Sequence, residues 1–316
     1  MLDRRQLLSG VVGGLLGSLA VPRRGAAAQA SPAPAAATPP NGVVALTSRI
    51  SLVTSGRTNV LTLTTPDGLV VVDSGAPDLS ENLMASLRPL APNGRVSTAF
   101  NTHWHPEHTG GNERLRQAGA EVVAHENTRL WMATPTWLPA EDRYRPPRPK
   151  AAHPTKTFYT SGSTQVGGER IDYGYLLEAH TSGDIYVFFR DANVLAVGDV
   201  ASPARDPELD FLTGAWIGGR ADALARLVEL SNDRTRIVPG FGPVMTRAQL
   251  QAERDMMKTI YDRTVDRVRE GDGADDMLDA GVLNGLPRTL NDPRRILYDL
   301  QKGLWAHHNK LSPNVV

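Results

Sequence analysis

Six consecutive residues, His103-Trp104-His105-Pro106-Glu107-His108, place four side chains able to bind a metal cation within one short stretch of a 316-residue chain. His103 and His105 flank a single residue, so in an extended segment their imidazoles point the same way. Two such rings can chelate one ion with nitrogens at about 2.0–2.1 Å. Five of the chain's eight histidines are scattered elsewhere, so this local density is not what a polar loop with a few exposed histidines gives. There is no cysteine, which removes disulfides, thiolate nucleophiles and every Cys-containing zinc site. A metal must therefore be held by His, Asp, Glu or water.

The elements around the cluster decide whether those rings are held still. Residues 96–101 read as a buried strand running straight into it. Upstream, residues 50–54, 59–64 and 69–73 look like consecutive strands, with turns at Ser55-Gly56 and Pro66-Asp67-Gly68. Residues 79–90 carry Leu79, Leu83, Leu87 and Leu90 at helical spacing and end near Pro92. Downstream, 111–118 reads as a helix, 122–124 as a strand and 127–132 as the start of another helix. Residues 135–154 are rich in Pro and Arg with little periodicity, and a long irregular segment inside a compact domain is usually functional or flexible. Strands are expected at 156–159, 163–166 and 173–179, then a hairpin-like pair, 185–189 and 194–197, across Arg190-Asp191-Ala192-Asn193. A loop at 201–216 precedes a helix at 220–230, a strand at 235–238 and a long amphipathic helix at 247–270. This order, β-rich then helix, twice, implies two packed sheets with helices outside, in one α/β domain.

The run His103-x-His105-x-Glu107-His108-Thr109-Gly110-Gly111-Asn112 is similar to the His-x-His-x-Asp-His signature of the metallo-β-lactamase superfamily, with Glu where Asp is usual. The resemblance continues in order through Val70-Val71-Val72-Asp73-Ser74-Gly75, His180-Thr181-Ser182-Gly183-Asp184 and Val197-Gly198-Asp199, over about residues 45–260. It implies a four-layered αββα sandwich with a metal site at one edge of the two sheets. By that resemblance His103, His105 and His180 hold a first metal, Glu107 and His108 a second, and Asp199 bridges, as in the glyoxalase II-like branch. Zinc is the expected ion, with iron as the alternative. Two divalent ions sharing a water lower its pKa and make a hydroxide nucleophile available. Glu107 and Asp199 are the candidates for handling protons.

One segment departs from the family. Its last ligand commonly sits in a Pro-Gly-His-Gly-Pro turn, and here the turn is Pro239-Gly240-Phe241-Gly242-Pro243. Phenylalanine cannot ligate, so three outcomes are expected as alternatives: a weak second site completed by water, a single metal at the three-histidine site, or a protein that has lost hydrolysis. His307-His308 are expected at a solvated helix end, His125 in a structural place and His153 exposed. Asp73 and Asp184 either orient imidazoles or close their own turns. Trp104, Trp131, Trp137, Phe211 and Trp216 are candidates for a pocket mouth.

The chain has 34 basic and 34 acidic side chains, which argues against nucleic acid as the partner, because counterion-release binding needs a basic face. At the start, Arg4-Arg5, an apolar run from Gly10 to Val21 and Ala28-Gln29-Ala30 resemble a twin-arginine export signal over residues 1–30. The apolar run is shorter than the ~20 residues needed to span a bilayer, so no membrane anchor is expected after signal removal. Residues 31–41, rich in Ala and Pro, read as a spacer, and 42–316 as the catalytic domain with a C-terminal helical extension. The leading expectation is an exported, periplasmic or secreted hydrolase acting on a small-molecule ester, thioester, lactone or amide, a β-lactam included. The alternatives are a single-iron, persulfide-dioxygenase-like oxidation using His103, His180 and Asp199, and a non-catalytic binding protein.

Overall fold

Gly42–Ala45 (β1), Ile50–Ser55 (β2), Thr58–Thr65 (β3) and Gly68–Val72 (β4) form an antiparallel meander. The computed structural model describes residues 42–138 and 142–307, so the expected export signal, the spacer and His308 lie outside the described residues. After Ser80–Leu87 (α1), Val96–Phe100 (β5) joins β4 in parallel. Pro89 forbids a continuous helix to Leu90; the α-helix closes at Leu87 and a separate 3-10 turn spans Arg88–Leu90. Two short helices, Pro106–Thr109 (α2) and Asn112–Gln117 (α3), lead into parallel Glu121–His125 (β6).

The segment after Glu126–Ala133 (α4) is more ordered than its composition implied. Thr136–Leu138 (β7) and Arg143–Arg145 (β8) pair as an antiparallel ribbon. Three residues per strand are too few to show alternation, which is why the pattern gave no strand there. Lys156–Phe158 (β9) completes the first sheet, of order β1-β2-β3-β4-β5-β6-β9.

Ser161–Val166 (β10), Glu169–Tyr175 (β11), Ile185–Phe189 (β12) and Val194–Gly198 (β13) form a second meander. Ile217–Leu230 (α5) then crosses over to Arg236–Pro239 (β14), parallel to β13. The chain closes with Arg247–Glu270 (α6), Ala274–Asp279 (α7) and Pro293–Ala306 (α8). Helix α6 has the expected bounds because Thr246 and Gln249 form a reciprocal capping box and Gly271 stops it in a left-handed conformation.

Alternation along the strands assigns the layers. Val70, Val72 and Phe100 of the first sheet pack against Ile171, Val187 and Ala196 of the second. The intervening Leu69, Val71 and Ala99 face the other way, onto Leu83 and Leu87 of α1 and Leu115 of α3. On the far side, Phe188, Leu195 and Ile237 meet α5, α6 and α8 through Leu224, Met257 and Leu300. Both faces of each sheet are covered over its central strands, which is why β4, β12 and β13 are buried along their whole length. The architecture is the four-layered αββα sandwich.

Candidate metal centre

Strands β4, β5, β13 and β14 end at one edge of the sandwich, and the residue or short segment after each enters the site. The ends are tied by backbone bonds: Asp73 N–H to Phe100 at 2.7 Å, Ile185 N–H to Thr102 at 2.8 Å, and Gly240 N–H to Gly198 at 2.8 Å. In open α/β sheets ligands gather beyond the carboxyl ends of the strands, and the parallel pairs β4/β5 and β13/β14 end here in the same way. Asp73 adopts a left-handed φ of 65°, a conformation aspartate tolerates better than most residues.

Four buried side chains converge there: His103, His105, His180 and Asp199 offer ligand atoms all within 4.8 Å of one another. His180 Nε2 lies 3.2 Å from His105 Nδ1, and Asp199 Oδ2 lies 3.8 Å from His103 Nε2 and 3.7 Å from His180 Nε2. Ligands about 2.0–2.1 Å from a shared tetrahedral ion sit roughly 3.3 Å apart, so these spacings fit a common cation.

The outward nitrogen of every ring is already committed. His103 Nδ1 is 3.1 Å from the Thr102 hydroxyl, which itself donates to Asp73 at 2.8 Å. His105 Nε2 meets Asp210 at 3.0 Å, and His180 Nδ1 donates to the Glu208 carbonyl at 2.9 Å. His108 Nδ1 meets Asp73 at 2.8 Å, which turns its Nε2 to within 3.3 Å of Asp199 Oδ1. Partners of this kind fix the tautomer and leave the inner lone pair for a metal. Among the described residues His103 Nε2, His108 Nε2 and Asp199 Oδ1 are buried without a hydrogen-bond partner. His103 Nε2, an orphaned inward atom on a ring whose outward nitrogen is satisfied, is what a cation site leaves.

Electrostatics favours the ligating forms of three of these groups. Burial, then the neighbouring His108, holds His103 well below the usual imidazole range. Burial and His105 bring His180 down to about 3. Asp199 is held well below the usual carboxylate range because the surrounding histidines, His108 foremost, outweigh the cost of its burial. His105 and His108 move the other way: burial lowers both, but Asp210 beside His105, and Asp199 and Asp73 beside His108, more than reverse it. Neutral imidazole and ionised carboxylate are the forms that bind a metal.

The remaining candidates fall into distinct places. Glu107 stands apart from the converged atoms, in the wall of a cavity of about 620 Å³ that opens beside His105. That cavity is also lined by Trp104, Trp137, Arg145, Phe211 and Tyr298; Trp131 packs behind Trp104 at 6.4 Å, and Trp216 lies elsewhere. Asp184 closes a turn, accepting from the N–H groups of His180 and Thr181 at 2.6 and 2.7 Å, and its burial pushes its carboxyl up to about 7. His125 stacks on Tyr175 at 3.9 Å and accepts from the Asn127 N–H. His153 is half-buried and bonded to the Arg148 carbonyl, rather than exposed. His307 is also not solvated: it stacks on Trp216 at 5.1 Å and meets Glu178 at 3.2 Å.

Phe241 lies edge-on to His108 at 5.4 Å, and the guanidinium of Arg205 covers its face at 3.7 Å while pairing with Asp199. Gly240 is required there, since a Cβ would sit 2.0 Å from Asp199 Oδ1. Four residues that the sequence did not reveal thus serve the centre: Arg205, Glu208, Asp210 and, beneath them, Arg220, whose guanidinium donates to the Glu208 carbonyl at 2.7 Å. Three of them belong to the loop 201–216, whose composition carries no periodic signal.

The profile of the Metallo-beta-lactamase superfamily matches residues 53–258. A metallo-beta-lactamase type 2 from Bacillus cereus is 24% identical over 200 residues, 63% of this chain and 73% of that protein. The 2,4-dinitroanisole O-demethylase subunit alpha of Nocardioides sp. (strain JS1661) is 24% identical over 240 residues, 73% of this chain and 66% of that one. Among solved structures, a metallo-beta-lactamase from Pontibacter korlensis superposes with a TM-score of 0.56 at 22% identity, covering 69% of this chain and 99% of its own. The inverting sec-alkylsulfatase Pisa1 from Pseudomonas sp. superposes with a TM-score of 0.61 at 15% identity, over 87% of this chain and 52% of its own. With the profile spanning most of the chain and a buried His/Asp cluster at the expected sheet edge, the protein belongs to the metallo-beta-lactamase superfamily and is of that family's metal-dependent hydrolase kind.

Proposed function

We propose that the chain is an exported zinc hydrolase acting on an acyl substrate: an ester, thioester, lactone or amide. The observation that supports this most is the convergence of three imidazoles and one carboxylate with their outward atoms already bonded. Held by His103, His105, His180 and Asp199, a divalent cation would supply a Lewis acid and lower the pKa of water. The chain's own groups do the rest. Trp104, Trp137 and Phe211 exclude water from the cavity wall and receive an apolar body. Arg145, 4.5 Å over Trp104, offers a cation to an anionic group of the substrate. Glu107 takes the proton from the attacking water and returns it to the leaving group as the acyl bond breaks. The third imidazole, His105, favours this reading over single-iron oxidation, because a two-histidine, one-carboxylate triad keeps that position open.

A panel comprising an ester, a thioester, a lactone, a chromogenic cephalosporin, 2,4-dinitroanisole and a secondary alkyl sulfate tests the reading. Turnover on at least one acyl member, lost on chelation and restored by zinc, is the expected result. Activity confined to iron-loaded protein with oxygen consumption would replace it with oxidation. No metal-dependent turnover on any member would leave a binding protein.

Export rests on Arg4-Arg5 and the Ala28-Gln29-Ala30 site, and the twin-arginine route carries folded proteins, consistent with a centre that assembles from distant strands. Expressed in a bacterial host with that pathway, the wild type is expected outside the cytoplasm, beginning at Ser31. Arg4→Lys with Arg5→Lys is expected to stay inside with its signal intact. Equal export of both forms would eliminate the twin-arginine reading.

A further inference from the structure

Asp199 is shared. Its Oδ2 faces His103 and His180 of the converged cluster, and the same oxygen is paired with Nη2 of Arg205. Its Oδ1 faces His108 Nε2 at 3.3 Å, both atoms being buried without hydrogen-bond partners among the described residues. A second cation beside His108 would have to draw on these two atoms. The space is bounded by Phe241, edge-on to His108 at 5.4 Å, and by the Arg205 guanidinium lying 3.7 Å over that ring.

We propose that Arg205 is a resident cation that takes the place of a second metal ion, so that each chain is built for one ion, with Asp199 Oδ2 shared between that ion and the guanidinium. A guanidinium keeps its charge at any working pH, and a face-on aromatic ring stabilises it further. Unlike an ion it cannot dissociate. What remains for a second metal is one imidazole and one oxygen of an already shared carboxylate, fewer than the three protein ligands typical of a catalytic site. Phe241 is then part of the arrangement, providing the platform that holds the cation against Asp199, and not merely a lost ligand.

This depends on the metal-hydrolase reading only for the first ion, and its test uses no turnover. The mature protein, cleared of metal, is titrated with cobalt while visible absorption is followed, and ions per chain are counted by native mass spectrometry. Wild type is expected to saturate at one equivalent, and so is Arg205→Lys, which keeps the charge. The double variant Arg205→Met with Phe241→His is expected to take two. Should that variant not fold, Arg205→Met alone, at a side chain 30% exposed, is expected to bind a second equivalent at least tenfold more tightly than wild type. Two ions on wild type, or one on the folded double variant, would overturn the proposal. No ion on wild type would overturn the metal centre itself, whereas one ion without turnover on any substrate would overturn only the hydrolase reading.

Discussion

His180→Ala, purified beside wild type and analysed for metal, is expected to retain no measurable ion and to lose turnover completely on whichever substrate wild type accepts. His180 comes from the loop between β11 and β12, whereas His103 and His105 follow β5, so it is the imidazole through which the second sheet grips the ion. Its loss leaves two imidazoles and a carboxylate already engaged by Arg205. A graded companion separates holding the metal from shaping the site. Asp210→Asn keeps a hydrogen-bonding group against His105 but removes the charge 3.0 Å from its Nε2. Removing an outer partner of this kind costs about 10–100-fold in metal affinity or activity. Asp210→Asn should therefore bind metal measurably more weakly and regain activity as zinc is raised, whereas His180→Ala should not. If His180→Ala keeps both metal and activity, the centre assembled here is not the working one.

What the sequence revealed of this centre follows from where its signals were local. The run of residues 103–108 is contiguous, and Val197-Gly198-Asp199 ends a strand whose apolar pattern is unmistakable. Helix α6 was readable to its ends because its cap, Thr246 with Gln249, and its stop, Gly271, are both local residues. The outer ring of partners was not readable, because each partner is remote from the group it serves. Asp210 is 105 positions from His105, and Arg205 touches Phe241 only once β14 has paired with β13. Nor does spacing say which nitrogen faces inward: His103 presents Nε2 and His105 presents Nδ1, a choice made by Thr102 and Asp210. The ribbon of β7 and β8 escaped notice through its shortness, yet it brings Trp137 and Arg145 to the cavity.

The loop that supplies these partners must itself be held, and Arg220 is the residue that holds it. Its side chain on α5 is wholly buried, an unusual place for a guanidinium. Nη1 donates to the Glu208 carbonyl at 2.7 Å, the same oxygen that accepts from His180 Nδ1 at 2.9 Å. Nη2 donates to Ser202 Oγ at 2.7 Å and lies 3.8 Å from Glu253, whose carboxylate accepts the Ser202 N–H at 2.6 Å. One cation thus joins the loop after β13 to α5 and α6 and shares an acceptor with a metal-binding imidazole. Breaking a buried pair by removing one partner costs about 3–5 kcal/mol, because the other charge is left uncompensated. Arg220→Met is therefore expected to lower the melting temperature by roughly 10 °C and to weaken metal binding, since the Glu208 carbonyl loses the donor that positions it. Adding Glu253→Gln removes the buried carboxylate then left facing Arg288 alone, at 4.0 Å, so the double variant should be less destabilised than the sum of the two single changes. Strict additivity, or an Arg220→Met protein that melts with wild type, would mean that the loop holds its shape without this cation; its hold on His180 would then come from the backbone alone.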